Sequence, residues 1–225
     1  VSRGLGDVYK RKAQTDVTKE YLVNPSFETL KAADGTTDVA VKTKLESGLY
    51  GWEISKLLDN QFSNYQVESE ASGSSTGIPA NGIIKPSQGE FYYFNRQGWG
   101  NVDGSELKTS TSKNLPIGTY YAVIDYKAAD FSNNNDASKS GTTIGIKAEN
   151  ATNELLGENT AVRRAYSTLT SKSDPYMVNA AWNELGTMFT VTEPTTVTIS
   201  LVENMKNIGR SDIAWDNLRL YQIEN

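Results

Sequence analysis

The cleanest pattern in the chain is Thr196-Val197-Thr198-Ile199-Ser200-Leu201, where polar and apolar positions alternate at every step. A period of two puts Val197, Ile199 and Leu201 on one face of a strand and the hydroxyl residues on the other. Tyr120 to Lys127 repeats the pattern, with Tyr120, Ala122, Ile124 and Tyr126 opposite Tyr121, Val123, Asp125 and Lys127. Thr143 to Ala148 alternates again, and so does Ile213 to Ile223, where Leu218 and Leu220 oppose Arg219 and Tyr221. Shorter strands are predicted from Leu22-Val23, around Trp52 and Ile54, at Tyr65 to Glu68 and at Met188 to Val191. Phe91-Tyr92-Tyr93-Phe94 has rings on both faces. Such a strand is either central in a sandwich or shows one ring pair to a groove.

Turn residues punctuate these runs. Asn24-Pro25, Asp34-Gly35, Leu115-Pro116-Ile117-Gly118 and Glu193-Pro194 are breaks, because proline removes a donor and glycine reaches positive φ. The polar stretches 31–43, 70–77 and 131–141 read as loops, as does Arg96 to Asn101 with its two glycines. Residues 155–169 fit a strand-loop-strand or a short helix. Residues 1–19 read as a polar leader or linker, and 20–225 as a single domain. Many strands without crossover helices predict an all-β chain, an antiparallel β-sandwich.

Composition narrows the chemistry. The 225 residues include no cysteine and no histidine. Disulfides, thiolate metal sites and every Ser-His-Asp or Cys-His arrangement are therefore excluded. Net charge is -5 with the two signs mixed, so no nucleic acid partner is expected. No apolar run is long enough to predict membrane insertion within this segment.

Asn24-Pro25-Ser26-Phe27-Glu28 followed by Gly51-Trp52, Leu115-Pro116-Ile117-Gly118-Thr119-Tyr120, and Trp215-Asp216-Asn217-Leu218-Arg219-Leu220 resemble three segments of galactose-binding-like jelly-roll domains. These include carbohydrate-binding modules attached to glycan-degrading enzymes. The asparagine- and tyrosine-rich texture is also similar to secreted or surface proteins of gut Bacteroidetes. The resemblance implies jelly-roll topology, a glycan or polysaccharide ligand, adjacent domains of a larger protein, and a secreted, periplasmic or outer-surface location. It also implies a structural calcium ion between the first and last strands, with Glu28 and Asp216 as the residues to match. Calcium takes carboxylate and backbone oxygens, and Asn24 and Asp34 are further candidates. The alternative is that both carboxylates bond to backbone amides or to Arg219.

A ligand site is expected where rings stand among polar groups, since sugars stack C–H faces on rings while hydroxyls need planar donors and acceptors. Trp99 lies in such a context with Arg96, Gln97 and Asn101; Trp182 is a further candidate, and Tyr176 and Tyr166 are weaker ones. Trp52 and Trp215 are expected in the core. The expected function is non-catalytic glycan binding. The alternatives are a structural or protein-binding adhesin-type domain, or a glycoside hydrolase using two of Glu90, Glu106, Asp125 and Glu184.

Overall fold

The computed structural model describes residues 13–46, 48–55, 64–70, 84–131, 143–162, 164–165 and 181–224. They form β1 (Gln14–Asp16), α1 (Thr18–Tyr21), β2 (Glu53–Ser55), β3 (Asn64–Ser69), β4 (Phe91–Ser110), β5 (Gly118–Phe131), β6 (Thr143–Asn150), β7 (Leu155–Val162), β8 (Arg164–Ala165), β9 (Asn183–Val191) and β10 (Val197–Ile223). All described pairings between these strands are antiparallel except the two-residue contact of β8 with β5. The result is a two-sheet sandwich of jelly-roll type.

Two strands organise it. β4 is 20 residues long and β10 is 27, and each contributes to both layers. Val197 to Asn204 of β10 pairs with the second half of β4 on one side and with β6 on the other; β2 then borders β4, and β7 borders β6. The second half of β10 pairs with the first half of β4 and with β5; β3 borders β4, and β9 borders β5. Register shifts after Glu203 and after Met205 lie at the passage between layers, as bulges do where a strand must bend. Ile199 and Leu201 from one half of β10, and Ile213 and Trp215 from the other, belong to the same buried cluster. The halves therefore face each other across the core. The layers meet again along β7 and β9, where a Cβ on Gly157 would stand 2.2 Å from the Met188 carbonyl oxygen.

Phe91 and Tyr93 pack into or against this core, while Tyr92 and Phe94 are buried on the opposite face of the same strand. β4 is thus central and covered on both sides. Trp52 and Trp215 are core residues, as the sequence predicts.

Three readings need correction. Arg96 to Asn101 is not a loop: Gln97, Gly98 and Gly100 pair with Ser211, Arg210 and Ile208 of β10, which supplies a ladder partner through the glycines. The segment read as a leader joins the fold before residue 20. Gln14–Asp16 pairs with β10, Val17 and Thr18 are buried, and Val17 N donates to the Leu220 carbonyl at 2.9 Å. Leu22-Val23 does not begin a strand; it leads from α1 into a turn. Among the described residues, no helix is long and apolar enough to cross a membrane.

Candidate functional site

The turn after α1 ties the start of the domain to its last strand. Asn24 and Phe27 both adopt left-handed backbone, at φ 53 and 60. Asparagine reaches this region readily, whereas an aromatic residue does so only when its surroundings fix it. Here Phe27 is fully buried, stacked on Trp52 at 4.8 Å between centroids and tilted against Tyr93 at 5.7 Å. Trp52 Nε1 donates to the Asn24 carbonyl at 2.8 Å, and Leu218 N donates to the Pro25 carbonyl at 3.1 Å. The two ends of the domain lie side by side, and Glu28 is delivered to their junction.

Glu28 and Asp216 are gathered by one segment, Ile84 to Glu90, which crosses the sheet face turned away from the core. Glu28 accepts the Glu90 N–H at 3.1 Å and the Phe91 N–H at 3.2 Å. Asp216 accepts the Gln88 N–H at 2.9 Å and the Asn217 N–H at 2.7 Å. The segment wraps so closely that a Cβ on Gly89, at φ 67, would stand 2.3 Å from a Glu28 carboxylate oxygen. Asp216 is fully buried. Burial pushes its carboxyl up to about 8; the Gln88 and Asn217 amides pull it down, and the nearby Glu28 carboxylate raises it further.

The other two candidate ligands do not join this pair. The Asn24 side chain closes its own turn: Nδ2 donates to the Thr29 and Tyr50 carbonyls at 3.1 and 2.9 Å, and Oδ1 accepts the Thr29 N–H at 2.8 Å. Asp34 is exposed and accepts the Thr36 and Thr37 N–H groups at 2.7 and 2.8 Å and the Thr37 hydroxyl at 2.6 Å. These bonds, the Thr37 hydroxyl first, hold its carboxyl well below the usual range. Among the described residues no group of three or more histidine, cysteine, aspartate or glutamate side chains converges. The pair nevertheless fits calcium in chemistry. Two adjacent carboxylates, one of them fully buried, are hard oxygen donors whose mutual repulsion a divalent cation would remove.

Beside the pair, a bulge in β10 between Asp216 and Arg219 sets Asn217 at φ 57. It aims Arg219 at Asp125 in a bidentate contact, NH1 to Oδ2 at 3.1 Å and NH2 to Oδ1 at 3.0 Å. Asn217 Nδ2 at 3.1 Å and the Ser87 hydroxyl also donate to Asp125, and Glu184 lies 3.5 Å from the same guanidinium. Glu106 sits between Lys147 at 2.9 Å and Lys108 at 3.2 Å. Burial raises its carboxyl, but hydrogen bonds from the two lysines outweigh this and lower it overall. Three of the four carboxylates considered for hydrolysis are thus paired with cations. Glu90 meets the region through its backbone N–H.

The same outward face carries the ring cluster. Trp182 is half-buried, and its Nε1 donates to the Lys85 carbonyl at 3.0 Å. Tyr92 meets the indole nearly perpendicular, with centroids 6.2 Å apart and planes at 73°. The Lys127 ammonium stands over the indole, 5.3 Å from its centroid. Tyr92 is fixed in turn by its hydroxyl, which donates to Glu68 at 3.0 Å; Gln66 Nε2 donates to the other Glu68 oxygen at 2.6 Å. Gln66, Glu68, Tyr92 and Lys127 are all buried. Arg96 shares the outward row of β4 with Tyr92 and Phe94 and pairs with buried Asp212 at 3.1 Å.

The structure therefore brings Arg96 and Trp182 to one face. Trp99, Gln97 and Asn101 lie in β4, and their side chains are outside the described residues, as are Tyr176 and Tyr166 altogether. Gln66, Glu68, Tyr92 and Lys127 escaped sequence reasoning. Nothing in their local sequence shows that these side chains are buried.

No protein-family model matches the chain, and no curated protein matches it. Solved structures do. TmCBM61, in complex with beta-1,4-galactotriose, aligns over 90% of this chain and 97% of that chain, at 14% identity and a TM-score of 0.52. The Stig cyclase Fisc from Fischerella sp. TAU, in complex with a pyrrolidinylidene indole, aligns over 93% and 98%, also at 14% identity and a TM-score of 0.52. At this identity the likeness shows the fold alone, and the two structures have different kinds of ligand.

Proposed function

We propose that the chain is a non-catalytic glycan-binding module of a secreted or cell-surface protein, with Trp182 as a stacking ring. The observation that carries this reading is the half-buried indole held on the outward face by the Lys85 carbonyl, Tyr92 and Lys127. A flat ring supplies contact area to a sugar's C–H face at little entropic cost. Arg96 belongs to the same face, and Trp99, Gln97, Asn101 and Tyr176 remain in the proposal as flanking contacts. The likeness in fold to TmCBM61 makes β-1,4-galactotriose a sensible first probe.

A glycan array that includes β-1,4-galactans, run with wild type, Trp182→Ala and Trp99→Ala, tests the reading. Binding by wild type and its loss in Trp182→Ala at unchanged melting temperature supports it. Failure of wild type to bind any glycan at high density overturns it.

We propose further that Glu28 and Asp216 hold a structural calcium ion. The ion would take the place of the proton that Asp216 otherwise keeps and fix the Ile84 to Glu90 segment against the closing strand. Melting with calcium and with chelator is the check, since a ligand specific to the native state raises the transition temperature. Equal transitions would count against the ion.

A further inference from the structure

We propose that Lys127 is the positioning residue of the Trp182 platform, holding the indole so that only the face turned away from its ammonium is offered to a sugar ring. This rests on the glycan-binding reading, but its first test does not. Among the described residues, three contacts hold the indole from the protein side. The Lys85 carbonyl takes its N–H at 3.0 Å, the Tyr92 ring meets it at 73°, and the Lys127 ammonium stands 5.3 Å from its centroid.

These points differ in kind. The Lys85 bond fixes one atom and lets the ring pivot about it. The Tyr92 contact is apolar and adds orientation only as part of a packed surface. The cation on the ring face sets the tilt, because the attraction is greatest with the ammonium over the π-system. Lys127 is 5% exposed, and burial lowers its pKa. A desolvated cation interacts with an aromatic face more strongly than a hydrated one. Its position is itself set by the sheet, since Lys127 pairs with Ala214 of β10 in the middle of the layer.

Two consequences follow for the ligand. A ring gripped from one side cannot sandwich a sugar between itself and the sheet, so the sugar stacks on the outer face alone. A cation behind the ring also draws π-density away from that face. This disfavours a protonated amino sugar there relative to a neutral hexose. The ligand class is a neutral sugar unit, and Lys127 governs affinity without touching it.

The test uses Lys127→Met, which keeps the stem and removes the charge, and Lys127→Arg, which keeps a cation over the ring. The first readout needs no ligand. Acrylamide quenching and emission of Trp182 are obtained by difference from the matching Trp182→Phe proteins. Lys127→Met should raise the Trp182 quenching constant about two-fold, and Lys127→Arg should restore it. The second readout is titration with β-1,4-galactotriose, which should weaken about five- to thirty-fold in Lys127→Met, the range of a partly to fully desolvated cation–π contact, and recover in Lys127→Arg.

Unchanged Trp182 quenching in a folded Lys127→Met protein overturns the proposal. If Lys127→Met does not fold, Lys127→Arg decides it: quenching at the wild-type value supports the cation's role, and quenching raised two-fold or more overturns it. Failure of wild type to bind galactotriose or any arrayed glycan sinks the glycan reading but leaves the quenching result to judge Lys127.

Discussion

Asp216 should make the metal-free protein lose stability as pH rises, opposite to the behaviour of most paired carboxylates. Its carboxyl titrates near 8 in the fold against an ordinary 3.8. Between those values the native state keeps a proton that the unfolded chain has released. Stability is therefore fully present below about pH 4 and falls as pH climbs towards 8. The ceiling on the loss is about 6 kcal/mol, at about 1.4 kcal/mol per pH unit. That is a large fraction of the ~5–15 kcal/mol that keeps a domain folded. For a chain of this size each kcal/mol is worth about 2–4 °C of melting temperature. The assay is urea denaturation in chelator at half-unit steps from pH 5 to 8, on wild type and Asp216→Asn. The variant loses an acceptor for one of the Gln88 and Asn217 amides, so its absolute stability drops by about 1–3 kcal/mol at low pH. Its slope with pH should be the shallower of the two, and the curves should cross by about pH 6, beyond which the variant is the more stable. Calcium should flatten the wild-type slope. Parallel curves in chelator would refute the claim that Asp216 is the group responsible.

Three further outcomes are expected. Asp125→Ala leaves the half-buried Arg219 guanidinium without its bidentate partner and should cost about 3–5 kcal/mol by chemical denaturation; a loss under 1 kcal/mol would mean water replaces the carboxylate. Gly89→Ala forces a side chain into left-handed backbone and onto the Glu28 carboxylate, so it should destabilise by about 1–3 kcal/mol and weaken any calcium-dependent rise in melting temperature. Asn24→Ala removes three side-chain hydrogen bonds from the turn beneath Trp52 and should cost about 2–4 kcal/mol, with a change in the near-ultraviolet signal of the Trp52 environment.

Periodicity made most of the sandwich legible. Val197 to Leu201 and Tyr120 to Lys127 alternate because one face of each strand is buried in the shared core. The lengths of β4 and β10 were not legible. Gly98, Gly100, Gly104, Asn204, Asn207 and Gly209 are turn formers by local preference, and the pairing of the strands that carry them keeps both extended. At the acidic junction, Glu28 and Asp216 could be matched because the first and last segments of the domain meet. Asn24 and Asp34 misled for a physical reason: short polar side chains in turns satisfy their own backbone first. Trp182 stood out as a ring among polar neighbours. Lys127 and Glu68 did not, since nothing in their local sequence shows that they are buried.

The strand at the middle of both layers is also the last one described. Until Val197 to Ile223 leaves the ribosome, β6 has no partner on its inner side, and β4 and β5 have nothing between them. Vectorial synthesis therefore gives this domain no stable halfway product. Its assembly waits for β10 and then proceeds through contacts between distant parts of the chain, the regime in which folding is slow and exposed sheet edges are most in need of a chaperone.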